Sequence, residues 1–88
     1  MDRKKMDRKE TLKKIRSELA DFEKCLNEAN GNVEVAFNKW LENWRLLGVV
    51  KTIGYWANMG WKEEEVRKEL QEMFQLIDEE LAKLEAGD

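Results

Sequence analysis

Apolar side chains recur every three or four residues along most of this chain, and that stride limits its folds more than any other feature. Steps of three and four draw one stripe down an α-helix, whereas a half-buried strand alternates at every second residue. No stretch alternates long enough to suggest a strand, and proline is absent. The first stripe is Leu12, Ile15, Leu19, Phe22, Leu26 and Ala29, which predicts a helix from about Asp7 to Ala29. Asp7 followed by Glu10 resembles a capping box with Asp in the Ser/Thr position, and Asn30-Gly31 supplies a stop.

A second stripe of Val33, Ala36, Phe37, Trp40, Leu41, Trp44 and Leu47 predicts a helix over 33–47, with Asn32 as N-cap and Gly48 as stop. The third segment, Val49 to about Met59, is shorter and less amphipathic. Val50, Ile53, Trp56 and Ala57 face inward on a helical wheel, and Gly60 is the stop. Gly54 inside it lowers helix stability by up to ~1 kcal/mol relative to Ala, which suits a place where another helix comes close. The fourth, Lys62 to about Glu85, carries Val66, Leu70, Met73, Phe74, Ile77, Leu81 and Leu84. Glu63, Glu64 and Glu65 occupy its first turn, where the helix dipole favours acids. Glu63–Arg67, Glu64–Lys68 and Glu79–Lys83 are spaced as i,i+4 ion pairs.

The expected fold is therefore all-α: a compact four-helix bundle with two long outer helices, one medium and one short. The 88 residues suffice for one domain, 1–88, with residues 1–6 frayed or disordered. A compact domain of this size has a radius of gyration of about 12 Å. It buries only about two-thirds of its unfolded surface, so each large core side chain matters.

Charge is uneven. Residues 1–16 hold eight basic and three acidic residues; the remainder holds eight basic and sixteen acidic, for a net charge of −3. A basic end can mark nucleic-acid binding, but here it reads as a solvated helix start without base-reading chemistry. We expect no specific nucleic-acid partner. Cations also oppose the dipole at a helix start, which favours fraying. No apolar run approaches the ~20 residues of a membrane span, and no apolar segment follows the basic start as in a signal peptide. The expectation is a soluble, monomeric chain, cytoplasmic if natural or when expressed.

Catalysis requires a nucleophile, a base and a group that stabilises developing charge. Histidine is absent, and Ser17, the sole serine, has no imidazole base. Cys25 stands among Glu23, Lys24 and Glu28 and reads as a small half-buried hydrophobe rather than an activated thiolate. The glutamates are spaced as exposed-face residues. The glycines at 31, 48, 54, 60 and 87 form no phosphate-binding loop. We expect no enzyme activity, no cofactor and no metal. Of the four tryptophans, Trp40, Trp44 and Trp56 read as core, and Trp61, just after a helix stop, as partly exposed.

Two stretches resemble pieces of the ubiquitin-associated (UBA) domain. Residues 26–41, LNEANGNVEVAFNKWL, are similar to that family's second-to-third helix junction. Asn58-Met59-Gly60-Trp61, followed by acidic residues 63–65, is similar to its first-to-second helix junction, with Trp61 where the family has Phe. The order is reversed relative to the family. The resemblance thus implies that the family's ubiquitin surface, built from the Met-Gly-Phe turn and the end of the third helix, is not present in its usual arrangement. Permuted fragments, glycine stops, absent proline and the doubled opening (MDRKK then MDRKE) lead to one expectation: a designed or chimeric helical protein whose purpose is its fold, with no partner. The alternative is a small natural protein–protein interaction module with one protein partner and a Trp-containing apolar patch, in which Met59, Gly60 and Trp61 are the candidate binding residues.

Overall fold

The structure is a computed structural model that describes the backbone of residues 3–87 and side chains from Asp7 onward. It contains four helices: α1 (Arg3–Glu28), α2 (Val33–Trp40), α3 (Leu47–Asn58) and α4 (Glu63–Ala86). Among the described residues there is no strand. α1 is the hub and packs against α2, α3 and α4, while α3 also lies against α2. The all-α, four-helix expectation holds. Of residues 1–6, expected to be frayed or disordered, the backbone of 3–6 is part of α1, and residues 1 and 2 lie outside the described residues.

α1 begins at Arg3, not Asp7. Nothing in residues 3–10 interrupts a helix, so the chain runs straight through the proposed capping box. The C-terminal stop is as expected. Asn30 and Gly31 both take left-handed backbone (φ 55° and 85°), and the Gly31 N–H donates to the Leu26 carbonyl at 2.9 Å, closing the helix end. Asn32 then caps α2, its side-chain oxygen accepting from the Val35 N–H at 3.0 Å.

α2 is the shortest helix, with eight residues, and α3 has twelve. The expected helix over 33–47 is thus wrong in its second half, and the medium and short helices exchange places. Competing hydrogen bonds end the helix early. Had α2 continued, the Trp40 carbonyl would accept from residue 44 and the Leu46 N–H would donate to residue 42. Instead Arg45 Nε donates to the Trp40 carbonyl at 2.9 Å, and the Leu46 N–H donates to both carboxylate oxygens of Glu18 at 3.0 and 3.2 Å. Residues 41–46 leave the helical path, and Leu47 and Gly48 open α3 rather than close α2.

The core draws on all four helices: Leu19, Phe22 and Leu26 from α1; Val33, Ala36 and Trp40 from α2; Val49, Ile53 and Trp56 from α3; Val66, Leu70, Phe74 and Ile77 from α4. Leu84 and Leu81 are half-buried at the far end of α4. Gly54 meets its expected role, since a Cβ there would stand 3.2 Å from the Phe37 ring of α2. At the α3–α4 turn Gly60 has φ 72°, and the Lys62 N–H donates to Glu65 Oε1 at 3.0 Å. Of the expected i,i+4 pairs, Glu63–Arg67 closes at 2.7 Å. The radius of gyration is 14.1 Å in a body 43 × 24 × 21 Å, longer than a compact sphere. At ~1.5 Å per residue, two helices of 26 and 24 residues impose that length.

The uneven charge has a structural counterpart. Arg8 pairs with Glu80, and Arg16 makes a two-point contact with Asp78 at 2.7 and 3.2 Å while lying 4.9 Å over the Phe74 ring. The basic face of α1 is thus matched to the acidic face of α4.

Candidate interaction surface

The four tryptophans divide sharply. Trp40 is fully buried, its ring edge-on to Phe22 (centroids 5.8 Å apart) and its indole N–H donating to the Glu18 carbonyl at 2.8 Å. Trp56 is buried and Trp61 half-buried. Trp44 is 75% exposed. The expectation that Trp44 is core is overturned. Its place on the stripe required α2 to continue one more turn, and the break after Trp40 turns the ring outward. Leu41 and Leu47, from the same expected stripe, are exposed for the same reason.

A second correction concerns Glu18. The glutamates were all expected on exposed faces, yet Glu18 is buried at 1% exposure. Its carboxylate holds the Leu46 N–H, its backbone carbonyl holds Trp40, and Lys14 lies 3.7 Å away. One buried residue of α1 thereby fixes both ends of the α2–α3 connection.

That connection leads into an unusual face of α3. Leu47, Lys51, Tyr55 and Met59 follow at intervals of four, which places them along one side of the helix. Leu47, Tyr55 and Met59 are 67%, 55% and 61% exposed. Trp44 precedes this line and Trp61 follows it. The Trp61 ring stacks on Trp56 (5.7 Å, 15° between planes) and meets Tyr55 edge-on at 6.3 Å. The outer face of α3 is therefore an apolar, aromatic strip anchored on a buried indole.

Met59, Gly60 and Trp61 fall at the C-terminal end of this strip. Met59 is exposed, Gly60 makes the left-handed turn, and the Trp61 N–H donates to the Trp56 carbonyl at 3.0 Å. The two stretches that resemble UBA junctions lie side by side, with Gly31–Glu34 and Gly60–Glu63 lining one shallow cleft of about 320 Å³. Beyond those three residues, Trp44, Leu47 and Tyr55 escaped the sequence reading. For Leu47 and Tyr55 a signal is available in charge depletion: residues 46–61 contain one charged side chain, Lys51, in a chain that is 40% charged, whereas Trp44, beside Arg45, lies outside that stretch. Loss of charge is the compositional mark of an interface centre.

Beside the strip, Ile15, Leu46, Gly48, Val49, Thr52 and Met73 line an apolar pocket of about 310 Å³ where α1, α3 and α4 meet. The Thr52 hydroxyl donates to the Gly48 carbonyl at 3.0 Å, so its polarity is already satisfied.

The other residues considered for chemistry are placed as follows. Ser17 is exposed on α1. Cys25 is half-buried, and burial, then the charge of Glu28, push its thiol pKa up, the opposite of what a thiolate nucleophile requires. Among the described residues, no group of three His, Cys, Asp or Glu side chains could hold a metal ion. No described helix is long and apolar enough to cross a membrane. In comparison with known proteins, the chain matches no family model, no curated protein and no solved structure.

Proposed function

We propose that this chain is a non-catalytic protein-interaction module whose binding face is the outer side of α3, led by Trp44 and running through Leu47, Tyr55 and Met59 to Trp61. The observation that carries this reading is the exposure of Leu47, Tyr55 and Met59 at four-residue intervals along α3, within the charge-poor stretch 46–61 and with Trp44 exposed just before it. Exposed tryptophan and tyrosine in such a strip are the residue types that dominate binding energy at protein interfaces. A fold that is its own purpose, the other expectation for this chain, offers no reason to leave a tryptophan ring in water.

A lipid surface is a weaker match. Interfacial helices that bind anionic membranes carry Lys and Arg on the polar face, whereas this strip is bordered by Glu42 and by Glu63, Glu64 and Glu65 in a chain of net charge −3. Specific nucleic-acid binding is likewise disfavoured, since Arg8 and Arg16 are committed to acids of α4.

The test is selection of a random peptide library on the full chain, with counter-selection on Trp44→Ala/Tyr55→Ala. Enriched peptides with spaced apolar anchors that lose binding to the double variant support the reading. It is overturned if no peptide discriminates the two proteins, or if phosphatidylcholine vesicles bind the wild type and not the variant.

A further inference from the structure

The exposed residues of α3 are Leu47, Gly48, Lys51, Tyr55 and Asn58, and Met59 continues their line past the end of the helix. Lys51 is the middle of that line and the one charged side chain between Arg45 and Lys62. It makes no hydrogen bond or ion pair with any described residue. Its helix neighbours three and four residues away, Leu47, Gly48, Gly54 and Tyr55, are all uncharged, so its own helix offers it no acid. The nearest acids in sequence are Glu42 before α3 and Glu63, Glu64 and Glu65 after it. Along the chain the order is therefore acid, apolar, Lys51, apolar, acid.

We infer that the partner of this face is an amphipathic helix that carries a single Asp or Glu among its apolar residues, set against Lys51. The inference rests on the interaction-module reading above and names the chemistry of its partner. Whatever covers Leu47, Tyr55 and Met59 must also cover Lys51, which stands between Leu47 and Tyr55 on the same side of the helix. An ammonium group taken out of water without a counter-charge is costly, and interface centres are otherwise depleted of charge. A carboxylate on the partner turns that cost into a charge-assisted hydrogen bond. One acid fits and a run of acids does not. From Leu47 to Met59 the line spans about 18 Å at the helical rise per residue, and acids follow at both ends. The same order disfavours a nucleic-acid backbone or an anionic membrane, whose further charges would meet those acids. A second copy laid centre to centre would bring two Lys51 ammonium groups together, a like-charge contact that interfaces avoid. The helical form follows from shape. Residues at intervals of four make a ridge, and such a ridge packs into the groove between ridges of another helix. Among the described residues there is no strand, so an extended peptide finds no sheet edge to join.

The test selects a display library of helical peptides, with one face randomised, in parallel on the full chain and on Lys51→Glu. Lys51 is exposed on α3, so its substitution leaves the fold intact, as for other surface positions, and thermal melts of each variant check this. The wild type should enrich Asp or Glu at one position flanked by apolar residues. Lys51→Glu should enrich Lys or Arg at that same position. A synthetic peptide with the wild-type consensus should bind Lys51→Met, which removes the charge and keeps an unbranched stem, at least ~10-fold more weakly, as when one partner of a covered charge pair is lost. Its affinity for Lys51→Glu should be lower still. Binders that need Trp44 and Tyr55 but show the same central residue on both proteins overturn the inference and leave the interaction-module reading standing. Phosphatidylserine vesicles that bind the wild type and not Lys51→Glu overturn it in favour of an anionic surface. A library that yields no binder to either protein also overturns it, and the random peptide selection then decides separately whether the interaction-module reading survives.

Discussion

Trp40 and Trp44 are one helical turn apart in sequence and opposite in circumstance. Trp40 ends α2 with its ring edge-on to Phe22, its N–H on the Glu18 carbonyl and the Arg45 guanidinium 4.9 Å above it. Trp44 lies in the connection and is 75% exposed. Both residues have the same intrinsic hydrophobicity and the same helical register. What separates them is whether backbone polar groups find better partners inside or outside the helix. The bonds from Arg45 and to Glu18 end the helix between the two rings, and burial follows from that break rather than from residue type. The break is thus a polar event with an apolar consequence: it places one indole in the core and leaves the other available for binding.

The contrast predicts its own largest effect. Trp40→Ala should destabilise the domain by ~3–5 kcal/mol, as for other large core aromatics, a major fraction of the ~5–15 kcal/mol typical of a whole domain. Trp44→Ala should change it by less than ~0.5 kcal/mol, as for an exposed side chain. Urea titrations of the two variants compare them directly. Equal losses would abolish the distinction.

Next in size is the group that creates the break. Glu18→Ala leaves the Leu46 N–H without its acceptor and should cost ~1.5–3 kcal/mol, the range for a hydrogen bond to a charged group. Amide hydrogen exchange at Leu46 should accelerate well beyond that in the middle of α4. Protection of Leu46 that is unchanged in Glu18→Ala would mean that something other than this carboxylate holds the connection.

These two residues also mark the limit of what the sequence discloses. The stripes of α1 and α4 are legible because each buried position there depends on helical period alone, and the glycine stops at 31 and 60 are legible because a left-handed turn demands that residue type. The end of α2 depends on a carboxylate 28 residues earlier in the chain, opposite Leu46. Period cannot register such a contact, and a lone Glu beside Leu19 reads as solvated. The same blindness hides the exposure of Leu41, Trp44 and Leu47, which look like core until α2 stops. The turn at Met59, Gly60 and Trp61 is legible because it is a local motif.

A smaller effect concerns the turn that precedes α2. Gly31 has φ 85°, and a Cβ there would run into the Glu63 side chain. That side chain is flexible and can move aside, but the left-handed backbone still disfavours an L-residue by ~1–2 kcal/mol. Gly31→Ala should therefore lower the urea midpoint by an amount corresponding to about 1 kcal/mol. Gly31→Asn should lose less, because Asn tolerates that conformation better. Both variants should keep Trp44 exposed, since the break after Trp40 does not depend on this turn. A shift of Trp44 emission to shorter wavelength in either would show that the two ends of α2 are coupled.

The weakest expected effect is acid sensitivity, and it lies entirely on the α1 side of the comparison. Hydrogen bonding to Lys39 lowers the Glu28 pKa, and hydrogen bonding to Arg16 lowers that of Asp78. A carboxylate whose folded pKa is depressed adds stability that is complete above its unfolded pKa and disappears as pH falls through the folded one. The urea midpoint should therefore be flat near neutrality and decline below the ordinary carboxylate range. Both pairs are solvent-exposed, so the decline is small and salt weakens it. Glu28→Gln/Asp78→Asn should flatten this part of the acid limb without altering Trp44 emission, because neither pair touches the connection or the outer face of α3. An acid limb of unchanged slope in the double variant would mean that these two pairs do not carry the sensitivity.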